Sequence, residues 1–212
     1  MNKNYDLFGN EIENKPVKKE WSGNARSMFV CNGDSSHATE DREENDFYAT
    51  EPRAVEELLE REKFSKTILE PCVGKGHIAN VLIGGGYRCI GKDIIDRGFP
   101  GTEIKDFLQE KENHNDIITN PPYKFCKEFV EHALEISING TKIAMFLKLT
   151  FMESQNRKEL FMKYPFKTLY VFSSRRSCAK NGDFEKSPSS AVAYGWFVWE
   201  KGYKGDPIIK WI

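Results

Sequence analysis

After residue 51 the apolar positions alternate between two rhythms. Val55, Leu58 and Leu59 recur at helical spacing behind Pro52, a residue suited to a first helical turn. The run at 67–70 reads as a short strand, and Gly74-Lys75-Gly76 turns the chain into a helix through Ile78, Val81 and Leu82. Gly84-Gly85-Gly86 ends that helix. Further strands are predicted at 88–94, 102–105, 116–119 and 143–147, with helices over 125–136 and 154–163. Two last strands, 168–172 and 191–199, flank a polar loop. Trp196 and Trp199 share one apolar run with Phe197 and Val198, so they are read as packing residues. Seven strands alternating with helices imply an α/β fold: a mostly parallel sheet with helices on both faces and an antiparallel last strand.

The first 45 residues have no such rhythm. They are polar and lead into an acidic run at 40–46, which predicts an N-terminal extension. Trp21, Met28, Phe29 and Val30 suit anchoring rather than a free tail, so partial order is expected. Residues 46–212 form one domain. No apolar run reaches membrane-spanning length, and the N-terminus lacks the apolar core of a signal peptide. Cys31, Cys72, Cys89, Cys126 and Cys178 are scattered and odd in number, with no C-x-x-C pair, which fits a reducing cytoplasm. His37, His77, His114 and His132 lack metal-ligand spacing, so no metal is expected.

The formal net charge of −1 hides an asymmetry. From Thr141 onward there are 13 basic and 6 acidic residues, against 18 and 26 before it. A basic last third, 141–212, suits a polyanion-facing surface, and a solvated basic face is the equal alternative.

The chemistry concentrates at Asn120-Pro121-Pro122-Tyr123, directly after the strand at 116–119. Two adjacent prolines cannot continue a sheet ladder, so the strand stops there with a stiffened end. In open α/β sheets that carboxyl edge is where ligands bind. An Asn carbonyl and a Pro carbonyl aimed at one point would accept both hydrogens of an exocyclic amino group. Tyr123, held outward, would offer a face for a planar base.

The second candidate is the turn Glu70-Pro71-Cys72-Val73-Gly74-Lys75-Gly76. Glycines let a backbone approach a ligand closely. Gly74-x-Gly76-x-x-Ala79 with Asp93 also satisfies a dinucleotide fingerprint. Glu70 argues against a pyrophosphate and for a cationic cofactor bearing ribose.

In order, these pieces resemble the S-adenosylmethionine-dependent DNA amino-methyltransferases, adenine-N6 type, in their small phage-like form. The resemblance is carried by Phe47-Tyr48-Ala49-Thr50-Glu51-Pro52, by Glu70 to Gly76, by Asp93, by Asp106-Phe107-Leu108 and by Asn120 to Tyr123. It implies a Rossmann-like class I methyltransferase fold with S-adenosyl-L-methionine as cofactor. By that resemblance Tyr48 and Thr50 touch the methionine end of the cofactor. Glu70, Pro71, Gly74 and Gly76 form the floor of its pocket, Asp93 takes the ribose, and Asp106 and Phe107 take the adenine. Asn120 to Tyr123 would hold the target amine. Phe184, Arg175, Arg176 and Lys180 would hold the flipped base and its phosphates. Two departures stand out: Glu51 separates Thr50 from Pro52, and no separate target-recognition domain follows. DNA is the first partner implied, with RNA as the alternative. Protein glutamine amides, an NAD(P)-binding oxidoreductase and a catalytically inactive nucleic-acid-binding protein are the competing readings. Nothing in the sequence speaks to oligomeric state.

Overall fold

The computed structural model describes Asn4–Tyr5, Glu11–Ile12, residues 47–180, Gly182, Phe184 and residues 192–212. Trp21, Met28, Phe29 and Val30 lie outside the described residues. Two compact units are present, Met1–Ser36 and His37–Ile212. In the first, β1 (Asn4–Tyr5) and β2 (Glu11–Ile12) pair antiparallel.

The second unit begins with β3 (Tyr48–Thr50) and α1 (Pro52–Arg61). Pro52 opens α1, and Ala54, Val55 and Leu58 form its buried stripe. Next come β4 (Thr67–Glu70), α2 (His77–Gly84), β5 (Arg88–Asp93), β6 (Glu103–Ile104) and β7 (Asp116–Thr119). The chain continues through α3 (Cys126–Ile136), β8 (Lys142–Lys148), α4 (Gln155–Lys163) and β9 (Thr168–Val171). It ends with β10 (Cys178–Lys180), β11 (Tyr194–Glu200) and β12 (Ile208–Trp211).

One sheet carries eight of these strands in the order β12-β9-β11-β8-β7-β4-β5-β6. β4 to β8 run parallel, and β11 lies antiparallel between β8 and β9. The sequence reading of a mostly parallel sheet with an antiparallel late strand is borne out. It is refined in one respect: the antiparallel strand is interior, and β12 adds an eighth, parallel strand at the edge. β6 is shorter than expected and exposed.

Alternation along the central strands sorts the core into two layers. Leu69, Ile117, Met145, Leu147, Phe197 and Trp199 pack with Phe129 and Val130 of α3 and Leu160 of α4. Ile68, Ile118, Ala144, Phe146, Trp196 and Val198 pack with α1 and α2 on the other face. Both tryptophans are fully buried, with Trp196 Nε1 donating to Ala54 O and Trp199 Nε1 to Tyr164 O. At the amino end of the sheet, the Asp116 carboxylate accepts from Ser65 N and Lys142 N. That leaves the carboxyl edge for β4, β5 and β7 to present their terminal residues side by side.

β3 and β10 lie outside this sheet and pair with each other: Tyr48 faces Lys180, Ala49 faces Ala179, and Thr50 faces Cys178. Glu51 explains its own intrusion into the motif here. Its carboxylate accepts from Ser177 N at 2.9 Å, fastening the ribbon to the start of α1.

Candidate active site

The glycine turn and the Asn120 segment occupy the carboxyl ends of adjacent strands, β4 and β7. At the turn, Gly74 and Gly76 both take positive φ, +54° and +83°, a region that disfavours side chains. A Cβ on Gly74 would stand 2.3 Å from the Phe47 ring, and one on Gly76 would stand 2.1 Å from Phe99. Two aromatic rings therefore close on the turn. Phe47 belongs to the motif read from sequence, whereas Phe99 was not anticipated.

Gly74 N donates to Asp93 Oδ2 at 2.9 Å, and Ile95 N donates to Oδ1. Asp93 thus closes the turn as well as ending β5. Glu70 is 2% exposed, and its Oε2 finds no partner among the described residues. Burial pushes its carboxyl well above the usual carboxylate range, and the nearby Asp93 adds to the rise against a backbone hydrogen bond from Ala79. A buried acid with one oxygen unpartnered, next to a second acid, suits a positive charge. The Thr50 hydroxyl is likewise buried without a partner. These groups fit a ligand bearing an ammonium or sulfonium.

At the other site Asn120 is oriented by what its amide nitrogen meets. Nδ2 donates to the Tyr48 carbonyl at 2.9 Å and approaches Cys178 Sγ at 3.4 Å. A carbonyl can only accept, so the amino group must face Tyr48 and the oxygen must face away. That oxygen, Oδ1, is buried and has no partner among the described residues. The Pro122 carbonyl is occupied, accepting from Phe125 N and Cys126 Sγ. Pro121 is therefore the proline whose carbonyl is suited to act beside Asn120.

Tyr123 departs from the outward position expected of it. Its hydroxyl turns inward, 2.8 Å from Cys178 Sγ and 3.1 Å from Tyr194 Oη. Its ring lies 5.4 Å from that of Tyr48 and 6.1 Å from that of Tyr194. Donors and acceptors run consistently if Asn120 gives to Cys178, Cys178 to Tyr123, and Tyr123 to Tyr194. Burial pushes all three ionisable members, Cys178, Tyr123 and Tyr194, upward, so the chain stays neutral. Cys178 and Tyr194 were missed in the sequence because each sits in a segment with no motif of its own.

Other expected residues fall elsewhere. Phe107 is 1% exposed and packs on Phe129 and His132 in the core, so its side chain is a structural element rather than a platform for adenine. Asp106, exposed, caps the following turn by accepting from Leu108 N. Arg176 is held by Glu57 of α1 through Nε at 2.9 Å and through Nη2. It is a clamp on α1, not an open phosphate contact. Arg175 is exposed, and of Lys180 only the backbone is described. Phe184 meets the His77 ring edge-on at 5.7 Å.

No protein-family model matches the chain, and no curated protein matches it in sequence. Solved structures do share its fold. A Listeria monocytogenes protein assigned to the class I S-adenosylmethionine-dependent methyltransferases aligns at a TM-score of 0.50 and 12% identity. The alignment covers 74% of this chain and 62% of that one, so this chain spans less than two thirds of its length. An Agrobacterium tumefaciens protein predicted to be an O-methyltransferase aligns at 0.55 and 10% identity, over 76% and 85% of the two chains. The type IIG restriction endonuclease BpuSI aligns at 0.55 and 14% identity, over 84% of this chain and 28% of that one. The fold is the Rossmann-like fold of class I methyltransferases. Among the described residues no helix is long and apolar enough to cross a membrane, and no three metal-binding side chains gather.

Proposed function

We propose that the protein is an S-adenosylmethionine-dependent methyltransferase acting on an exocyclic amino group of a nucleic-acid base, with adenine N6 in DNA as the substrate. The observation that carries this reading is the Asn120 carboxamide, whose nitrogen is engaged by Tyr48 and whose buried oxygen is unpartnered. An acceptor fixed in that way selects a donor, and an amino group offers two. Asn120 Oδ1 and the Pro121 carbonyl would each accept one N–H. The nitrogen lone pair, otherwise delocalised into the ring, would then point along the remaining direction.

Bound S-adenosylmethionine supplies an electrophilic methyl on a sulfonium. Glu70 would face its positive charge, the Gly74–Gly76 turn, with Phe47 and Phe99 packed on its glycines, would form the floor of its pocket, and Asp93 would take its ribose hydroxyls. The target nitrogen would gain the methyl carbon as the carbon–sulfur bond breaks, the electron pair of that bond staying on a neutral thioether, and would lose a proton to solvent. No buried base is needed, and the neutral Cys178–Tyr123–Tyr194 chain supplies none. Positioning and preorganised polarity would account for most of the acceleration. The base must leave a duplex or arrive single-stranded.

Glu70 also weighs against the nicotinamide alternative, since a pyrophosphate would leave the buried carboxyl protonated with Oε2 unsatisfied, whereas a cation would favour its ionised form. The likeness in fold to a restriction endonuclease is compatible with DNA. The test is transfer of labelled methyl to DNA, RNA and protein, followed by digestion to nucleosides. Label in N6-methyladenosine from RNA or in glutamine would move the substrate while keeping the chemistry. Absence of transfer to all three would overturn the reading.

A further inference from the structure

This inference rests on the reading of the Asn120 site just given. Lys148 ends β8 and faces Tyr194 across the β8–β11 pairing. Its ammonium stands 4.9 Å from the centroid of the Tyr123 ring. Its charge also reaches Cys178, where it opposes the larger upward effect of burial on the thiol. Lys148 thus sits over the network that orients Asn120.

Its surroundings differ from those of four other half-buried cations, and it shares with Arg97, which lies over Phe47, an aromatic face in place of a carboxylate. Arg176 has Glu57, Lys142 has Glu62, Lys92 has Glu110, and Lys167 has Glu200. Lys148 has no carboxylate within ion-pair distance among the described residues and holds only an aromatic face. An ammonium held by a ring alone keeps its N–H donors for an anion. Meanwhile the Asn120 acceptor is covered, so a base can reach it only if a side chain moves. Tyr123, Cys178 and Tyr194 are pinned to one another by hydrogen bonds. Lys148 is long, flexible and bound by no counter-charge.

We infer that Lys148 takes a phosphate of the nucleotide whose base enters the Asn120 site, releasing the Tyr123 ring as it does so. A compact ammonium suits a phosphate as a point charge. The exchange couples arrival of the backbone to clearing of the aromatic face. Lys148 is a positioning residue in this scheme, one within the basic last third but not among the residues singled out there.

The test measures binding of a fluorescent adenine-containing single strand across a salt series, methyl-transfer kinetics, and S-adenosylhomocysteine affinity by calorimetry. Wild type, Lys148→Met and Lys148→Arg are compared. Lys148→Met should weaken oligonucleotide binding roughly three- to tenfold at low salt and lower the log–log salt slope by about 0.7, the value for one phosphate of a single strand. KM should rise by more than kcat falls, Lys148→Arg should recover most of the loss, and S-adenosylhomocysteine affinity should stay within about twofold, which also reports an intact fold. An unchanged salt slope in Lys148→Met, with wild type binding normally, overturns the inference alone. A loss confined to S-adenosylhomocysteine overturns it too and assigns Lys148 to the cofactor's carboxylate. If wild type binds no oligonucleotide, this inference and the nucleic-acid substrate fall together.

Discussion

The ends of β4 and β7 lie side by side, yet they are built on opposite principles. The glycine turn after β4 gathers acids: Glu70 is buried with its Oε2 unpartnered among the described residues, and Asp93 lies close by. The Asn120 segment after β7 contains no buried charge, only neutral donors and acceptors in a fixed order. One half is prepared to be satisfied by a cation. The other is prepared to be satisfied by a hydrogen-bond donor arriving from one direction. On the proposed function, cofactor and substrate would bind as neighbours without competing, because the two halves favour different chemistry.

Removing the directional half should have the largest effect. Asn120→Ala is expected to lower methyl transfer by about 10²- to 10³-fold, the usual loss for one preorganised polar contact to the reacting centre. Cofactor affinity should change by less than about threefold. A single-turnover assay with parallel calorimetry checks both. Near-normal turnover would remove Asn120 from the reacting centre.

Altering the charged half should divide stability from binding. Glu70 holds its proton longer in the folded chain than in the unfolded one. Its stabilising contribution is therefore fully present below the ordinary carboxylate range and is lost as pH rises through the raised value. Glu70→Gln should flatten that decline and raise the melting temperature of the ligand-free protein at pH 8, by about 2–4 °C per kcal/mol relieved. The same change should weaken S-adenosylmethionine binding by about tenfold or more. A variant that gained no stability at high pH, measured by thermal unfolding between pH 5 and 9, would contradict the burial argument.

Gly76→Ala tests the shape of the charged half. A methyl group would meet the Phe99 ring at 2.1 Å, in a left-handed backbone that alanine resists. Destabilisation of about 2–4 kcal/mol is expected in urea unfolding. Phe99→Ala in the same background should return part of it.

The smallest functional effect is expected at Arg176. Burial alone would raise the Glu57 carboxyl, but Arg176 and Arg53 outweigh it and hold that carboxyl below its ordinary value. Arg176→Met should cost about 1–3 kcal/mol of stability by leaving Glu57 half-buried and incompletely paired. The salt slope of oligonucleotide binding should not change. A reduced slope would restore Arg176 to the phosphate-binding role expected from its charge.

That last case shows where the sequence could and could not be read. Periodicity located β4, β5, β7, β8, β9 and β11 because each carries a buried run or alternation that one window reveals. β12 was not anticipated, since Ile208, Ile209 and Trp211 remain exposed at the sheet edge and generate no pattern. β10 was hidden in a polar loop because its partner, β3, comes from the far end of the domain. The same distance concealed the Arg176–Glu57 pair and the contact of Cys178 with Asn120. Local chemistry nominated Asn120, Pro121, Glu70 and the two glycines, which the sheet brings to neighbouring strand ends. It misjudged Phe107, where an aromatic beside a ligand and an aromatic in a core look alike along the chain.

The β3–β10 ribbon sets an order of events during synthesis. β3 leaves the ribosome early and β10 late, so the Tyr48 carbonyl cannot be secured by its partner strand until most of the domain has emerged. A nascent chain could assemble its parallel strands first and, on the proposed function, remain silent, because nothing yet aims Asn120. Proteolytic nicking between α4 and β10 would be expected to recreate that silent state in the finished molecule.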